Sequence, residues 1–534
     1  MNFHTYPFSS QRMPIFADRG IVATSQPLAA QAGLAMLQRG GNAVDAILAT
    51  AAALTVLEPT ANGIGGDAFA LIWDGSRLHG LNGSGAAPLA LSAVDLRAQG
   101  YTEMPTEGWL PVTVPGAPAA WGDLQQRFAR FSLAELLEPA IAYAETGYPV
   151  SPIVAQSWND LLARFLSQPD PALAHWPAVF APKGRAPRAG ERWASPAHAY
   201  TLRTLANRGV RDFYEGELAA RIVAFARATG GLLREEDLAA HRSCWVEPLS
   251  LNYHGYEVWE LPPNGQGLAA LIALGILADT EVATYPQGSV DALHLQIEAM
   301  KLALADAGRY IADPKRVEVP VAGLLDPAYL AARRALIGPQ ARVPEPGAPP
   351  QGGTVYLCAV DQEGMMVSYI QSNYLNFGSG VVVPGTGIAL QNRGACFSLE
   401  PGHPNEAAGG KRSYHTIIPA FLTRSGQPVG PFGVMGGMMQ PQGHVQVVVG
   451  SLDHDLNPQA VLDAPRWRVT DGLDVELELG TPEYILRALA ARGHAVTVPF
   501  ERSDFGRGQI IWRLDNGAFV AGSDSRADGA AVGW

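Results

Sequence analysis

The sequence predicts an α/β protein of the α+β type, arranged as a four-layer sandwich of helix, sheet, sheet and helix. Helical patterns dominate the first two thirds of the chain, with scattered strand patterns between them, and strand patterns dominate from residue 354 onward. Two of the helical segments are apolar on nearly every face. Such helices are buried, which fits layers of helix that cover a strand-rich centre.

The helical part begins with residues 25–57. Pro27 stands near the start of a first helix, Gly40 and Gly41 interrupt the pattern, and residues 43–56 form a second helix that is apolar enough to be buried. Residues 151–199 are rich in Trp, Pro and polar residues, and we expect them to cross the surface. Further helices are expected around Trp121 and at residues 133–146, 218–228, 235–240, 268–277 and 290–311.

The strand pattern is clearest at residues 355–360 and 365–370, which a turn at 361–364 joins into a hairpin. An early strand is expected at residues 68–73, and helices return at 459–466 and 481–492. No internal repeat is visible. Other strands are expected at residues 380–384, 388–391, 417–423, 445–449, 509–514 and 518–521.

Composition indicates a globular protein that binds a small molecule. The 534 residues are 47% hydrophobic and 16% charged, with a net charge of −12. The pI near 5.5 and the absence of a basic stripe argue against nucleic acid or an anionic membrane as partner. The N-terminal residues lack the pattern of a secretory signal, and the longest apolar run, 46–57, is too short to span a bilayer, so we expect a cytoplasmic protein.

Neither cysteines nor histidines predict a metal site. Cys244, Cys358 and Cys396 are too far apart for a cluster or a disulfide framework, and all three are expected to be buried thiols. The twelve histidines show no ligand spacing such as His-Glu-x-x-His. We therefore expect no metal and no organic cofactor.

The stretch Gly352–Gly353–Thr354 is the candidate for chemistry. It ends a Pro/Gly-rich linker, residues 342–353, and opens the predicted hairpin. A threonine hydroxyl becomes a useful nucleophile when a base lies beside it, and cleavage before Thr354 would supply one in its own α-amino group. Gly353 puts no side chain in the way of an attack by the Thr354 hydroxyl on its carbonyl. The alternative is a threonine that simply opens a strand.

Several motifs, in order and across nearly the whole chain, resemble those of the γ-glutamyltransferases, which belong to the N-terminal-nucleophile hydrolases. The matching stretches are residues 22–25, 40–46, 58–59, 63–66, 113–116, 213–216, 262–265 and 435–437.

The resemblance implies autoprocessing between Gly353 and Thr354, which converts a zymogen into a large chain, 1–353, and a small chain, 354–534. The two chains, 353 and 181 (534 minus 353) residues long, would form one joint structural domain with the αββα fold. Thr354 would be the nucleophile and Ser372 would hydrogen-bond it. Gly436 and Gly437 would supply the N–H groups of the oxyanion hole. Without the family resemblance, Ser372 would be interpreted as an ordinary serine of a strand and the two glycines as a turn.

The departures from the family pattern bear on the substrate. Ser84 stands where the family has an Arg for the glutamyl α-carboxylate, and Cys396 stands where an Asp for the α-amino group is expected. His415 and Thr416 replace a Ser-Ser pair. Without the aspartate expected at the position of Cys396, nothing in the pocket would replace the lost hydration of a substrate ammonium. Arg393 is suited to bind a carboxylate, unless it is a solvated turn residue.

The sequence therefore predicts an N-terminal-threonine amidohydrolase that acts on a small carboxylate-bearing amide through an acyl-enzyme. The pattern looks like the branch that includes oxamate amidohydrolase, so oxamate is the favoured substrate. Alternatives are a γ-glutamyl hydrolase or acyltransferase, a β-lactam side-chain acylase, and a non-catalytic binding protein. The oligomeric state stays open, and a homo-dimer of processed heterodimers is one possibility. The substrate-binding candidates are Arg393, His415, Thr416 and Asn373.

Overall fold

Two seven-stranded antiparallel sheets lie face to face in the centre of the protein. The computed structural model describes residues 8–9, 12–166, 168–344, 353–500 and 503–534. Sheet I has the strand order β19 (Ala530–Gly533), β2 (Gly20–Thr24), β10 (Gly353–Asp361), β11 (Met366–Tyr374), β3 (Asp67–Trp73), β4 (Leu78–Asn82) and β7 (Cys244–Val246). Sheet II has the order β1 (Ile15–Ala17), β18 (Phe519–Ser523), β17 (Arg507–Arg513), β13 (Gln427–Met435), β12 (Ala420–Arg424), β9 (Tyr256–Glu260) and β8 (Leu249–Tyr253).

Smaller sheets lie outside this pair. One joins β14 (Trp467–Asp471), β15 (Asp474–Leu477) and β16 (Ala495–Thr497), and the other joins β5 (Tyr148–Pro149) and β6 (Arg192–Trp193).

Helices cover both outer faces and complete the four layers. The helices of the sheet I side and its extensions are α1 (Pro27–Gln38), α2 (Ala43–Leu57), α3 (Ala93–Ala98), α4 (Ala117–Phe128), α5 (Leu133–Thr146), α6 (Pro152–Leu166), α7 (Trp176–Phe180), α8 (Pro196–Arg208), α9 (Asp212–Glu215), α10 (Glu217–Thr229) and α11 (Glu235–Ala239). Those of the sheet II side are α12 (Gly267–Leu277), α13 (Val290–Tyr310), α14 (Val321–Leu324), α15 (Pro327–Arg334), α16 (Met439–Leu452), α17 (Pro458–Asp463) and α18 (Glu483–Ala491).

The alternation of side chains along β10 builds two cores at once. Val355 and Leu357 pack toward the helices of the sheet I side, whereas Tyr356 and Cys358 pack between the two sheets. Neighbouring side chains of a strand point to opposite faces, so a run of apolar residues is what a strand buried on both faces requires. The predicted four-layer sandwich is confirmed.

Helix α2 shows why the longest apolar run is a helix. Asn42 caps its first turn by accepting from the N–H groups of Val44 and Asp45, and Asp45 accepts from the N–H of Asn42 in return. Every side chain of the helix is buried. The capping box satisfies N–H groups that the first turn leaves without helical partners, so the helix can start inside the protein.

Three strands expected from the sequence, at residues 380–384, 388–391 and 445–449, are not formed. Residues 445–449 lie within α16 rather than in a strand, because the helix that starts after Gly437 packs its valines on β13, and this contact outweighs the strand preference of valine. Residues 380–384 and 388–391 are joined by a single bridge between Val382 and Ala389 instead of forming strands. Residues 345–352 of the predicted linker lie outside the described residues.

Residues 151–199 were expected at the surface, yet their aromatic side chains form part of the core. Trp158, Trp176 and Phe180 are buried, and their rings surround Phe377 at centroid distances of 5.5, 5.1 and 4.7 Å. The Pro and polar residues that suggested a surface segment lie between these anchors. Of the cysteines, Cys358 is buried as expected, but Cys244 and Cys396 are only half-buried.

A buried group of charges joins the last two strands to the loop before β17. Asp524 accepts from Arg466 at 2.6 Å and from Arg526 at 3.1 Å, and Arg526 also donates to Glu478 at 2.9 Å. Arg466 further donates to the carbonyl groups of Phe505 and Gly506 at 2.9 Å. Since Gly506 packs against Gly436, this group supports the turn that holds the paired glycines.

We expect Asp524→Asn to destabilise the protein by about 3–5 kcal/mol, because the change leaves two buried guanidinium groups with one carboxylate between them. Urea unfolding followed by circular dichroism measures this loss. The matched control is Asp515→Asn in an exposed turn, which should stay within about 0.5 kcal/mol of the unmodified protein. Equal stability of the two variants would contradict this account of the charge group.

Candidate active site

Thr354 lies at the start of β10, the third strand of sheet I, in the uncleaved chain. It is fully buried, and its hydroxyl donates to Ser372 Oγ at 3.1 Å. Ser372 is on β11, and its Oγ also accepts from the N–H of Tyr374 at 2.7 Å. The pairing of β10 with β11 is irregular between Gly353 and Val355, so Thr354 sits at a local break in the ladder. The structure thus brings together the two hydroxyl groups that the sequence suggested.

A second group on the Thr354 hydroxyl was not expected. Gln440 Nε2 lies 3.4 Å from Thr354 Oγ1, and Gln440 Oε1 accepts from the N–H of Ile418 at 3.0 Å. Gln440 is in the first turn of α16, three residues after Gly437. That position, immediately after the paired glycines, is the signal that could have identified it.

We expect Gln440→Ala to lower kcat/KM about tenfold, since loss of one orienting hydrogen bond to a nucleophile is worth about 1–1.5 kcal/mol. Steady-state kinetics on any amide that the protein hydrolyses tests this. Gln446→Ala removes a half-buried glutamine from the same helix, where it bonds Gln442 and Trp467, and it serves as the control. If both variants lose activity equally, Gln440 acts through the helix and not through Thr354.

The paired glycines form the turn between β13 and α16. Gly436 has a φ of 131° and Gly437 a φ of 59°, conformations that favour glycine. A Cβ at Gly436 would lie 3.0 Å from the Cα of Gly506. N–H groups at the start of a helix are suited to stabilise an oxyanion, because the helix dipole adds positive potential there.

Gln266 ties this turn to the segment that contains the other candidates. Its Nε2 donates to the carbonyl groups of Thr416 at 2.6 Å and of Gly437 at 2.8 Å, and its Oε1 accepts from the hydroxyl of Tyr414 at 3.0 Å. Gln266 is fully buried in the loop before α12. It was not identified from the sequence, because its partners are about 150 residues away in the chain.

Arg393 is a buried residue and not a solvated turn residue. It is 1% exposed, its Nη1 donates to Thr416 Oγ1 at 2.7 Å, and its guanidinium carbon lies 4.5 Å from the ring centroid of Tyr374. Its Nε and Nη2 have no hydrogen-bond partner among the described residues. Tyr374 pairs with Gly353 across the hairpin, so the residue that contacts Arg393 is also the strand partner of the residue before the proposed cleavage point.

Asn373 has a fully buried amide whose oxygen and nitrogen both lack a hydrogen-bond partner in the described part of the chain. It follows Ser372 on β11, and a Cβ at Gly66 would come within 2.7 Å of its Oδ1. The glycines of the 63–66 loop therefore leave room for this amide. A buried amide without partners is unfavourable unless a ligand or water satisfies it.

His415 is paired with an acid that the sequence analysis did not single out. Its Nε2 lies 3.0 Å from Asp67 Oδ2, and both side chains are fully buried. Asp67 Oδ1 accepts from the N–H groups of Gly85 and Gly116 at 3.2 and 2.9 Å, and from Gln391 Nε2 at 2.9 Å. With four N–H groups on its two oxygens, Asp67 has little capacity left to bind a substrate ammonium.

Ser84 and Cys396, the two departures from the family pattern, are both connected to Arg393. Ser84 donates to Asn82 Oδ1 at 2.6 Å, and Asn264 joins Ser84 to Ser413, which donates in turn to the carbonyl of Arg393 at 3.2 Å. Cys396 Sγ lies 3.9 Å from Arg393 Nη1. Neither departure supplies a charge of its own near Arg393 at neutral pH, since the pKa of Cys396 is raised by burial.

One group of side chains has metal-ligand chemistry. Ligand atoms of His294, Glu298 and His494 lie within 4.8 Å of one another. Lys301 Nζ, however, lies 2.5 Å from Glu298 Oε1, where a metal ion would have to bind, and His294 Nδ1 and His494 Nε2 are hydrogen-bonded at 2.9 Å. A metal ion would therefore have to displace Lys301 and break the hydrogen bond between the two histidines, and His494 Nδ1 has no hydrogen-bond partner among the described residues.

The four-layer αββα fold, with a threonine at the start of an inner strand and a glycine pair beside it, defines an N-terminal-nucleophile hydrolase. Residues 29–534 match the family model described as Gamma-glutamyltranspeptidase. The chain belongs to the gamma-glutamyltranspeptidase family, and it is an enzyme of the amide-hydrolysing or acyl-transferring type that this family contains.

Similar proteins cover the whole chain. The crystal structure of a cephalosporin acylase from Bacillus halodurans is 54% identical with a TM-score of 0.95, covering 100% of this chain and 99% of that one. Oxamate amidohydrolase proenzyme of Klebsiella pneumoniae is 36% identical over 96% of this chain and 98% of its own length. Glutathione hydrolase-like YwrD proenzyme of Bacillus subtilis is 34% identical over 97% and 99%. Both curated relatives are proenzymes.

Among the residues that the structure describes, no helix is both long and apolar enough to cross a membrane.

Proposed function

We propose that this protein cleaves itself before Thr354 and then hydrolyses a small amide whose acyl part carries a carboxylate. The observation that carries the proposal is Arg393, a buried guanidinium whose Nε and Nη2 lack partners in the described part of the chain. A buried cation with free N–H groups is costly unless an anion completes it. A carboxylate fits two N–H groups of a guanidinium side by side.

The chemistry follows from the groups around Thr354. Attack of its hydroxyl on the Gly353 carbonyl forms an ester and breaks the Gly353–Thr354 amide bond, which frees the α-amino group of Thr354. Water then hydrolyses the ester, which leaves a carboxylate on Gly353 and restores the Thr354 hydroxyl. That amine then takes the hydroxyl proton as Thr354 Oγ1 attacks the substrate amide, and it gives the proton to the leaving amine. Water hydrolyses the acyl ester by the same route. Ser372 and Gln440 orient the hydroxyl, and the N–H groups of Gly436 and Gly437 bind the oxyanion.

Recognition of the acyl group is assigned to Arg393 with Thr416, which fixes the guanidinium, and to the amide of Asn373. His415 is assigned an indirect role, because its imidazole is hydrogen-bonded to Asp67. Because the two oxygens of Asp67 already have donors and Cys396 is not an acid, an α-ammonium finds no free carboxylate oxygen to accept its hydrogen bonds. Oxamate has one carboxylate, one amide and no amine, so its hydrolysis to oxalate and ammonia is the favoured reaction. The similarity to an oxamate amidohydrolase supports this choice.

A second candidate function is supported by a different observation. The cephalosporin acylase structure is 54% identical to this chain over its full length, well above the identity of the oxamate amidohydrolase relative. An acylase that removes a carboxylate-bearing side chain, such as a glutaryl group, from a β-lactam would use the same arginine and the same nucleophile. It would differ in how much room the pocket leaves for the acyl chain.

A panel of donors separates these functions. We expect ammonia release from oxamate, or nitroaniline release from glutaryl-p-nitroanilide, and little turnover of γ-glutamyl-p-nitroanilide. Fast turnover of the γ-glutamyl donor, with or without transfer to an acceptor amine, would overturn the argument from Asp67 and Cys396. A protein that stays uncleaved and inactive on every donor would be a binding protein that has kept the fold.

A further inference from the structure

Asp67 is a buried carboxylate in the wall of the candidate active site, and no step of the proposed reaction uses it. It begins β3 and pairs directly with Ser372 of β11, so it is one strand away from the hydroxyl group that contacts Thr354. Four N–H groups surround its oxygens, and these hydrogen bonds favour the ionised form of the carboxylate against the cost of burial.

His415 fixes the orientation of this carboxylate. The N–H of Ile417 donates to His415 Nδ1 at 3.3 Å, so the ring proton is on Nε2 and is donated to Asp67. Burial, and then the charges of Arg393 and Arg412, lower the pKa of His415 well below its ordinary value. The imidazole therefore stays neutral, and the charge of the pair is the charge of Asp67.

Asp67 is connected to Arg393 through two consecutive residues, His415 and Thr416. Thr416, which follows His415 in the chain, accepts from Arg393 Nη1. Among the described residues no carboxylate forms an ion pair with Arg393, and Asp67 is the acid coupled to it electrostatically. Burial raises the pKa of Asp67 to about 7, and Arg393 opposes this rise. The other ionisable groups around the two residues are Arg412, whose charge acts on His415, and Tyr214, Tyr374 and Cys396, whose pKa values are raised by burial.

We propose that Asp67 is a specificity-determining residue: its charge, held in place by His415, partly neutralises Arg393 and sets how tightly the pocket binds an anionic acyl group. This inference rests on the proposed function, in which Arg393 binds the acyl carboxylate. When Asp67 gains a proton at lower pH, Arg393 is unopposed and an anionic donor binds more tightly. When Asp67 is ionised at higher pH, the same donor binds more weakly.

The test compares anionic donors with neutral analogues between pH 5.5 and 8.5. The pairs are oxamate with oxamide, and glutaryl-p-nitroanilide with its terminal carboxamide. For the processed protein we expect KM of the anionic donor to rise about tenfold through pH 7, while KM of the neutral analogue stays flat. The ratio of the two KM values removes the titration of the Thr354 amine, which affects both donors alike.

Asp67→Asn should hold KM for the anionic donor at its low-pH value throughout the range. In an Arg393→Gln background the same change should have no effect on KM, because Asp67 acts through Arg393. Should the asparagine variant fail to fold, the pH profile of Arg393→Gln alone decides, and the step near pH 7 must vanish.

The outcomes separate the inference from the function on which it rests. A KM that depends on Arg393 but shows no step with pH and no response to Asp67→Asn would overturn the role of Asp67 alone. Equal shifts of KM for the anionic and neutral donors would do the same, since they indicate a structural effect. Absence of turnover of both anionic donors would overturn the proposed function.

Discussion

Replacement of Thr354 by alanine is expected to leave a single chain of 56.6 kDa and to lower amide hydrolysis by about 10⁴-fold or more. In the proposed reaction both effects have one cause, because the hydroxyl that attacks Gly353 in the precursor would be the hydroxyl that attacks the substrate afterwards. The hydrogen bond to Ser372 Oγ shows that this hydroxyl is already oriented in the uncleaved chain. Intact-mass spectrometry measures processing, and an ammonia assay on the same sample measures turnover.

The matched control for this prediction is Thr354→Ser. Serine keeps the hydroxyl and the α-amine, so we expect the Thr354→Ser variant to be cleaved at the same bond and to retain activity within about tenfold. An alanine variant that still separates into chains of 353 and 181 (534 minus 353) residues would show that another group attacks Gly353. A variant that stays whole but hydrolyses amides would remove Thr354 from the reaction.

The second large effect is expected at Arg393. Arg393→Gln should raise KM for an oxamate-like or glutaryl donor about 100-fold, equal to about 3 kcal/mol, because it removes a charge and two free N–H groups from a buried site. The value of kcat should change less, since the acyl carboxylate keeps its charge during the reaction. Initial-rate kinetics over a wide range of donor concentration gives both constants.

Two variants control for this effect. Arg424 also stacks on a tyrosine, with its guanidinium carbon 5.0 Å from the Tyr256 ring, but it is exposed, and Arg424→Gln should leave KM unchanged. Arg393→Lys keeps the charge and loses the planar pair of N–H groups, so it should fall between the wild type and glutamine. Equal KM values for the lysine, glutamine and unmodified proteins would mean that Arg393 does not touch the acyl group.

Local patterns were sufficient for much of the fold. Helix α5 was predicted with its observed ends from its amphipathic pattern, and the structure adds a capping box between Ser132 and Glu135 and a glycine, Gly147, after the last turn. The β10–β11 hairpin was predicted from its apolar runs and the turn between them. Where the pattern misled, as at residues 445–449, contacts with β13 decided the structure.

The candidate site was only partly predictable, for a different reason. Thr354 was proposed from the local sequence, and Ser372 and the glycine pair from the family resemblance, whereas the partners that complete them come from distant parts of the chain. Asp67 meets His415 across 348 residues, and Gln440 meets Thr354 across 86. Burial of Arg393 likewise depends on packing that no short stretch of sequence reveals.

The position of the β10–β11 hairpin has a consequence for the protein after cleavage. This hairpin follows the proposed cut, yet it is inserted between β2 and β3, which precede it, and β19 from the C-terminal end pairs with the other edge of β2. Strands of the two proposed chains alternate within sheet I, so the chains cannot separate while the sheet is folded. In the processed enzyme the two polypeptides would therefore separate only when the sheet unfolds, so that unfolding and dissociation would be one event.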